Sequence, residues 1–223
     1  MAEGSIWYRF SRWVAKTFFF GAMGGLKAKG AENVPKTGPV LIAPIHVSLM
    51  DPPVIGCISP RLLCFMAKKE LFKNPIFSRL IRSYGAFPVE RGANDSAAIR
   101  LAIDILKEGR CLLVFPEGTR GDGVTMGEVK SGIAMLAKRS EAAVVPVGVY
   151  GSHIMLPRGG KKLRRSRALV VFGKPLKYSD FEGVEGDPRV AFTNALVAGM
   201  LQASADAGLP LKPFEPGQKE LGS

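Results

Sequence analysis

The sequence predicts a single α/β domain, a mixed, mostly parallel sheet flanked by helices, entered by an N-terminal amphipathic helix. Three observations carry this. Short apolar runs at residues 40–43, 62–66, 86–89, 111–115, 144–149 and 168–172 alternate with helical patterns. The runs are continuously apolar, as strands covered on both faces are. At 223 residues and 47% hydrophobic composition, the chain suits one large domain, is short for two, and is too apolar to be disordered.

From the N-terminus, residues 6–20 form the first patterned segment. At about 100° per residue, Trp7, Phe10, Val14 and Phe18 share one face, and Arg9, Arg12 and Lys16 the opposite one. Aromatic on one side and basic on the other is the pattern of a helix lying in a membrane interface. The alternative is a helix packed on its own domain with a solvated basic side. Two Trp and four Phe in so short a segment favour the interface. Residues 17–26 are apolar but contain three glycines, and no apolar stretch reaches the ~20 residues a membrane-spanning helix needs. Leu26-Lys27-Ala28-Lys29 lacks a small-x-small cleavage site, which counts against a signal peptide. Beyond the strands, helices are expected at 78–84, 95–107, 129–139 and 189–205. The division is then residues 1–28 as the interface helix, 29–208 as the main domain, and 209–223, with three prolines, as a loose tail.

Lys and Arg number 31 against 19 Asp and Glu, a formal charge of +12, so the surface favours anionic partners: nucleic acid, acidic lipid or a phosphorylated substrate. Cys57, Cys64 and Cys111 form no CxxC pair and sit in apolar runs, as free thiols in a reducing compartment do. With only His46 and His153 and no HExxH, a zinc site is not expected.

Four segments carry candidate chemistry. His46 follows the strand at 40–43, and Asp51 stands five residues later, directly before Pro52-Pro53. A residue before proline is biased away from the helical region, while proline suits a first helical turn, so Asp51 reads as an N-cap. A tight loop folds His46 back so that Asp51 accepts from one ring nitrogen and leaves the other as a base. The plain alternative is a loop histidine and an ordinary capping aspartate. Gly85-Ala86-Phe87-Pro88-Val89-Glu90-Arg91 ends a strand with an arginine, as an anion site does. Phe115-Pro116-Glu117-Gly118-Thr119-Arg120-Gly121 leaves another strand through a polar, glycine-bearing loop. Val144-Val145-Pro146-Val147-Gly148 is an apolar strand whose proline suggests a sheet edge.

In this order and spacing, the four segments resemble the motif blocks of the glycerolipid acyltransferase family, most nearly its bacterial 1-acylglycerol-3-phosphate branch. The resemblance runs from about residue 30 to 173 and includes Ala67-Lys68-Lys69-Glu70-Leu71. Members usually carry Asn before the motif histidine; Ile45 stands there instead. The resemblance implies that His46 is the general base for a glycerol hydroxyl and that Asp51 orients it. It implies that Arg91 and Arg120, with Lys68, hold a phosphate, and that Glu117 holds a glycerol hydroxyl or pins Arg120. Gly118 and Thr119 would shape their loop and offer backbone N–H groups. The implied reaction moves a fatty acyl chain from acyl-CoA or acyl carrier protein to lysophosphatidic acid, with no metal or redox cofactor. It would take place at the cytoplasmic face of an anionic membrane, with the protein attached peripherally. Glycerol-3-phosphate or another hydroxyl lipid remains open as acceptor. A non-catalytic basic binding module is the rival from another class, although no nucleic-acid motif is recognisable and no nucleic-acid partner is expected.

The remaining features read more plainly. Ser48 suits a local turn bond rather than a nucleophile, and His153 a loop position. Gly118 to Gly123 lacks the GxxxxGK[ST] and GxGxxG spacings of nucleotide loops. Residues 161–167, with Arg158, form a basic run compatible with solvent, anionic lipid or an acidic carrier protein.

Overall fold

The computed structural model describes residues 6–89 and 96–215. The chain opens with α1 (Ile6–Val14), a π-helical turn (Ala15–Phe19) and α2 (Phe20–Met23). Then come β1 (Leu26–Lys29), β2 (Val40–Pro44), α3 (Asp51–Ile58), β3 (Leu63–Lys68), α4 (Pro75–Ser83) and β4 (Ala86–Val89). The rest is α5 (Ser96–Lys107), β5 (Cys111–Leu113), α6 (Gly132–Ser140), β6 (Ala143–Tyr150), α7 (Ser152–Met155), β7 (Ala168–Phe172) and α8 (Pro188–Ala207).

The strands form one sheet in the order β1-β7-β6-β2-β5-β3-β4. Strands β2 to β6 run one way; β7 pairs antiparallel with β6, and β1 pairs parallel with β7. The sheet is therefore mixed and mostly parallel. The central strands β2 and β6 are buried almost throughout, as their unbroken apolar sequences require. On one face α5, α6 and α8 contribute Ala102, Leu106, Ile133, Ala137, Phe192 and Leu196 to the core. On the other, Phe20, Val54, Ile55 and Met155 cover Val40, Ile42, Val145 and Val147.

Two expectations about strands change. Strand β6 is interior despite Pro146. Proline is tolerated there because the ladder on that side changes partner at this residue. Val144 exchanges hydrogen bonds with Leu176, pairing with β7 begins at Val147, and Pro146 needs only its carbonyl, which accepts from Gly173 N–H at 2.8 Å. Close by, Gly148 lets α8 lie on the strand: a Cβ there would come within 2.1 Å of the Ala203 carbonyl oxygen. Strand β1 was not anticipated; it is a short edge strand with exposed Lys27 and Lys29, residues that discourage edge-to-edge pairing.

The N-terminal helix meets the domain through a face the wheel did not single out. Tyr8 is buried against Tyr84 with ring centroids 5.6 Å apart, and Arg12 donates to the Ser59 carbonyl at 2.9 Å. Arg12 thus points inward, away from the solvated side expected for it with Arg9 and Lys16. The π-helical turn then brings Phe20 into the core while Phe18 and Phe19 stay outside. Trp7, Phe10, Trp13 and Phe18 form an exposed aromatic face, linked by Phe10–Trp13 and Trp13–Phe18 ring contacts at 6.2 and 5.8 Å. Among the described residues no helix is long and apolar enough to cross a membrane.

The segment expected as a loose tail starts tied down. Leu209 and Leu211 pack on the core, and Lys212 exchanges backbone hydrogen bonds with Val124 and Met126 at 2.9 Å each. Residues 216–223 lie outside the described residues. Cys57, Cys64 and Cys111 are not joined in disulfides, and the last two are buried.

Candidate active site

In an open parallel sheet, functional groups gather where the strands end and the chain turns back. Here β2 leads to His46, β3 ends at Lys68, and β5 leads to Glu117, all at one edge.

The loop from β2 to α3 brings His46 and Asp51 together. His46 Nδ1 lies 2.9 Å from Asp51 Oδ2, with His46 7% and Asp51 0% exposed. The same oxygen accepts from the backbone N–H groups of Val47 and Ser48, each at 2.8 Å. Asp51 is the first residue of α3 rather than its N-cap, a position held by Met50. The cause lies in the next two residues. A capping carboxylate ordinarily accepts from N–H groups further into the helix. Pro52 and Pro53 lack them and the Val54 N–H is taken by the Met50 carbonyl at 3.0 Å, so the carboxylate turns back onto the loop that precedes it. Ser48 Oγ donates to the Leu156 carbonyl at 2.8 Å and accepts from Met50 N–H at 3.1 Å, the local structural role expected of it.

Glu117 meets the backbone of the same loop. It is 3% exposed, and the backbone N–H groups of His46 and Gly127 donate to its carboxyl. Gly121 N–H donates to the His46 carbonyl at 2.7 Å. The loop after β5 therefore grips the backbone of His46 on both sides, while the Phe115 ring stacks on the imidazole at a centroid distance of 3.9 Å. Burial pushes the Glu117 carboxyl up to about 8, against the two N–H donors, which favour the charged form. Neither Phe115 nor the Glu117 clamp is legible as a site feature from residue type alone; the nearest signal is their place in the Phe115–Gly121 segment.

Gly118, with φ of +71°, closes a turn in which its own N–H donates to the Phe115 carbonyl at 3.1 Å. That N–H is thus used within the loop rather than offered to a ligand. Thr119 is exposed and Arg120 half-buried on the same loop. Asp122 accepts from Val124 and Thr125 N–H at 2.8 and 2.9 Å; these bonds hold its carboxyl below the usual range and fix the return of the loop. Lys68 is exposed and 3.6 Å from Glu70. Arg91 lies outside the described residues. Ile45 is buried in the core, with its N–H donating to the Val147 carbonyl at 3.2 Å, so an apolar side chain suits that position. His153 is on α7 rather than in a loop, half-buried against Tyr150, and burial lowers its pKa. Among the described residues no group of three or more His, Cys, Asp or Glu side chains is arranged to hold a metal ion.

A histidine whose one ring nitrogen faces a buried carboxylate, in a locked loop at the strand ends, suits proton abstraction from a substrate hydroxyl. Residues 25–150 match the family model described as Acyltransferase, and the chain belongs to that family. It is 33% identical over 177 residues to the 1-acyl-sn-glycerol-3-phosphate acyltransferase of Bacillus subtilis (strain 168), covering 78% of this chain and 85% of the relative. It is 37% identical over 153 residues to the enzyme of that name from Streptococcus pneumoniae (strain ATCC BAA-255 / R6), covering 66% of this chain and 54% of that one. The crystal structure of the 1-acyl-sn-glycerophosphate acyltransferase PlsC from Thermotoga maritima superimposes with a TM-score of 0.71 at 26% identity. That match covers 89% of this chain and 81% of the other.

Proposed function

We propose that the protein transfers a fatty acyl chain from an acyl thioester to the sn-2 hydroxyl of lysophosphatidic acid, giving phosphatidic acid. The carrying observation is the 2.9 Å contact between His46 Nδ1 and a carboxylate oxygen that two backbone N–H groups already fix. With the proton on Nδ1 donated to Asp51, Nε2 is the basic nitrogen. It takes the proton of the acceptor hydroxyl as the oxygen attacks the thioester carbonyl. The tetrahedral adduct collapses, the carbon–sulfur bond breaks, and the proton on Nε2 passes to the leaving thiolate. No covalent enzyme intermediate is required. Arg91 and Arg120 are the proposed phosphate ligands, since a guanidinium matches a phosphate through paired donors; Lys68 is the weaker partner. Thr119 borders the acceptor, and Glu117 serves by holding His46 in place.

The remaining features suit these substrates. An acceptor with one acyl chain resides in a bilayer, and a basic protein with the exposed face of Trp7, Phe10, Trp13 and Phe18 reaches it from the surface. Attachment is peripheral, on the cytoplasmic side, where acyl-CoA and acyl carrier protein are found.

The test is free-thiol release from acyl-CoA by the purified protein with lysophosphatidic acid, glycerol-3-phosphate or no acceptor, beside His46→Ala. Release that needs both lysophosphatidic acid and His46 is the expected result. Release with glycerol-3-phosphate alone changes the acceptor and keeps the mechanism. No release with acyl-CoA or acyl carrier protein as donor overturns the reading.

A further inference from the structure

Helix α4 connects β3 to β4, and none of its nine residues is buried. Its sequence is nevertheless that of an amphipathic helix. Ile76, Phe77 and Leu80 share one side, and Arg79 and Arg82 lie on the other. A helix of a water-soluble protein turns such an apolar side to the core; here Ile76 is 82% exposed and Phe77 and Leu80 more than two-fifths. Leu71, from the turn before the helix, is also exposed. On the side of the helix away from them lies a surface groove of about 560 Å³ whose lining includes Lys73, Arg79 and Arg82. The Arg82 guanidinium sits 4.7 Å above the Phe72 ring, which holds this cation along the groove.

The patch has a definite relation to the N-terminal helix. The β2-to-β3 and β3-to-β4 crossovers advance in the same direction along the sheet, so α3 and α4 lie on the same face. The α1 helix is on that face too, through Arg12 to Ser59 at the end of α3 and through Tyr8 against Tyr84 at the end of α4. The exposed aromatics of α1 and the exposed apolar side of α4 thus belong to neighbouring elements on one side of the molecule. Both are bordered by cations, so an anionic surface complements both.

We propose that α4 is a second membrane contact, in which Ile76, Phe77 and Leu80 enter an anionic lipid surface while Lys73, Arg79 and Arg82 bind lipid phosphates. This rests on the membrane-surface reading of α1 and extends it. One interfacial helix leaves a bound protein free to roll about the helix axis. A second contact removes that freedom and sets the tilt of the strand edge that carries His46.

The full chain is incubated with vesicles of equal parts phosphatidylglycerol and phosphatidylcholine, and separately with phosphatidylcholine alone, and bound protein is measured by co-sedimentation. Ile76→Ser/Phe77→Ser/Leu80→Ser is expected to weaken binding to the anionic vesicles by at least about tenfold. Arg79→Glu/Arg82→Glu is expected to do the same on anionic but not neutral vesicles. All five positions are exposed, so melting temperatures should match the parent. Trp7→Ser/Phe10→Ser/Trp13→Ser runs in parallel. If that variant loses binding and both α4 variants keep it, the α4 proposal is overturned and the α1 reading stands. If none of the three loses binding, both fall. If the α4 triple variant binds vesicles normally but turns a dimer into a monomer in lipid-free sedimentation, the patch is an interface between copies and the proposal is overturned.

Discussion

His46, Asp51 and Glu117 are ionisable and lie inside the protein, whereas Trp7, Phe10 and Trp13 are aromatic and lie outside it. Each group reverses the usual distribution of polarity, and each is sustained differently. The buried group is held by hydrogen bonds: Asp51 Oδ2 faces three donors, and His46 is bonded through its ring, its N–H and its carbonyl. The exposed group is held through its neighbours, the buried Tyr8 and Phe20 and the Arg12 bond to Ser59, which anchor the segment and leave the aromatic face unused by the fold. A polar interior tied down by such bonds serves chemistry, because they fix its geometry. An apolar exterior serves association, because its burial waits for a second phase.

This contrast can be broken most sharply at His46. His46→Ala should lower kcat for thiol release by about 10²–10⁴-fold with little change in melting temperature. Near-full activity would remove the imidazole from the chemistry. Asp51→Ala should act on the fold as well. It strands the N–H groups of Val47 and Ser48, and a buried unsatisfied group costs about 1–3 kcal/mol, so denaturant unfolding should report a loss of roughly 2–6 kcal/mol. An unchanged midpoint would mean the loop is not held as described. At the exposed end, Trp13→Ser alone should weaken vesicle partitioning about tenfold without altering stability; a falling melting temperature would instead make Trp13 a packing residue.

The smallest effect sharpens the role of Glu117. Its carboxyl titrates near 8 in the folded protein, above its ordinary 4.5, so between these values the native state keeps a proton that the unfolded chain has released. Its contribution to stability therefore declines as pH rises through that window and levels off above it. Glu117→Gln keeps the shape and removes the titration. Its melting temperature relative to the parent should rise from pH 5 to about pH 8 and then hold, with KM for the acceptor unchanged. A constant difference across that range would contradict the burial of this carboxyl, and a raised KM would restore the substrate-binding role.

Much of this was legible in the sequence where local chemistry decides. The expected strands at 86–89 and 168–172 match β4 and β7 at both ends. The approach of Asp51 to His46 is legible because a proline pair after an aspartate marks where the loop stops, although the N-cap position read for Asp51 is held by Met50. What was not legible depends on partners distant in sequence. A helical wheel sorts side chains by direction but cannot say which direction meets the domain, so Arg12 was placed with the solvated cations. The Leu-Lys-Ala-Lys of β1 is too polar to be read as a strand until the exposed sheet edge beside β7 is known. The contact of the Glu117 carboxyl with the backbone of His46 is not legible either, because nothing in the residues around it reveals that partner.

The pairing of Lys212 with Val124 and Met126 has a temporal consequence. The loop that grips His46 is closed by a strand-like contact from near the opposite end of the chain. During synthesis the sheet's central strands and the histidine emerge well before that partner does. A ribosome-bound chain halted before Lys212 lacks this contact, so the loop gains its last backbone tie only once translation has carried that residue clear of the exit tunnel.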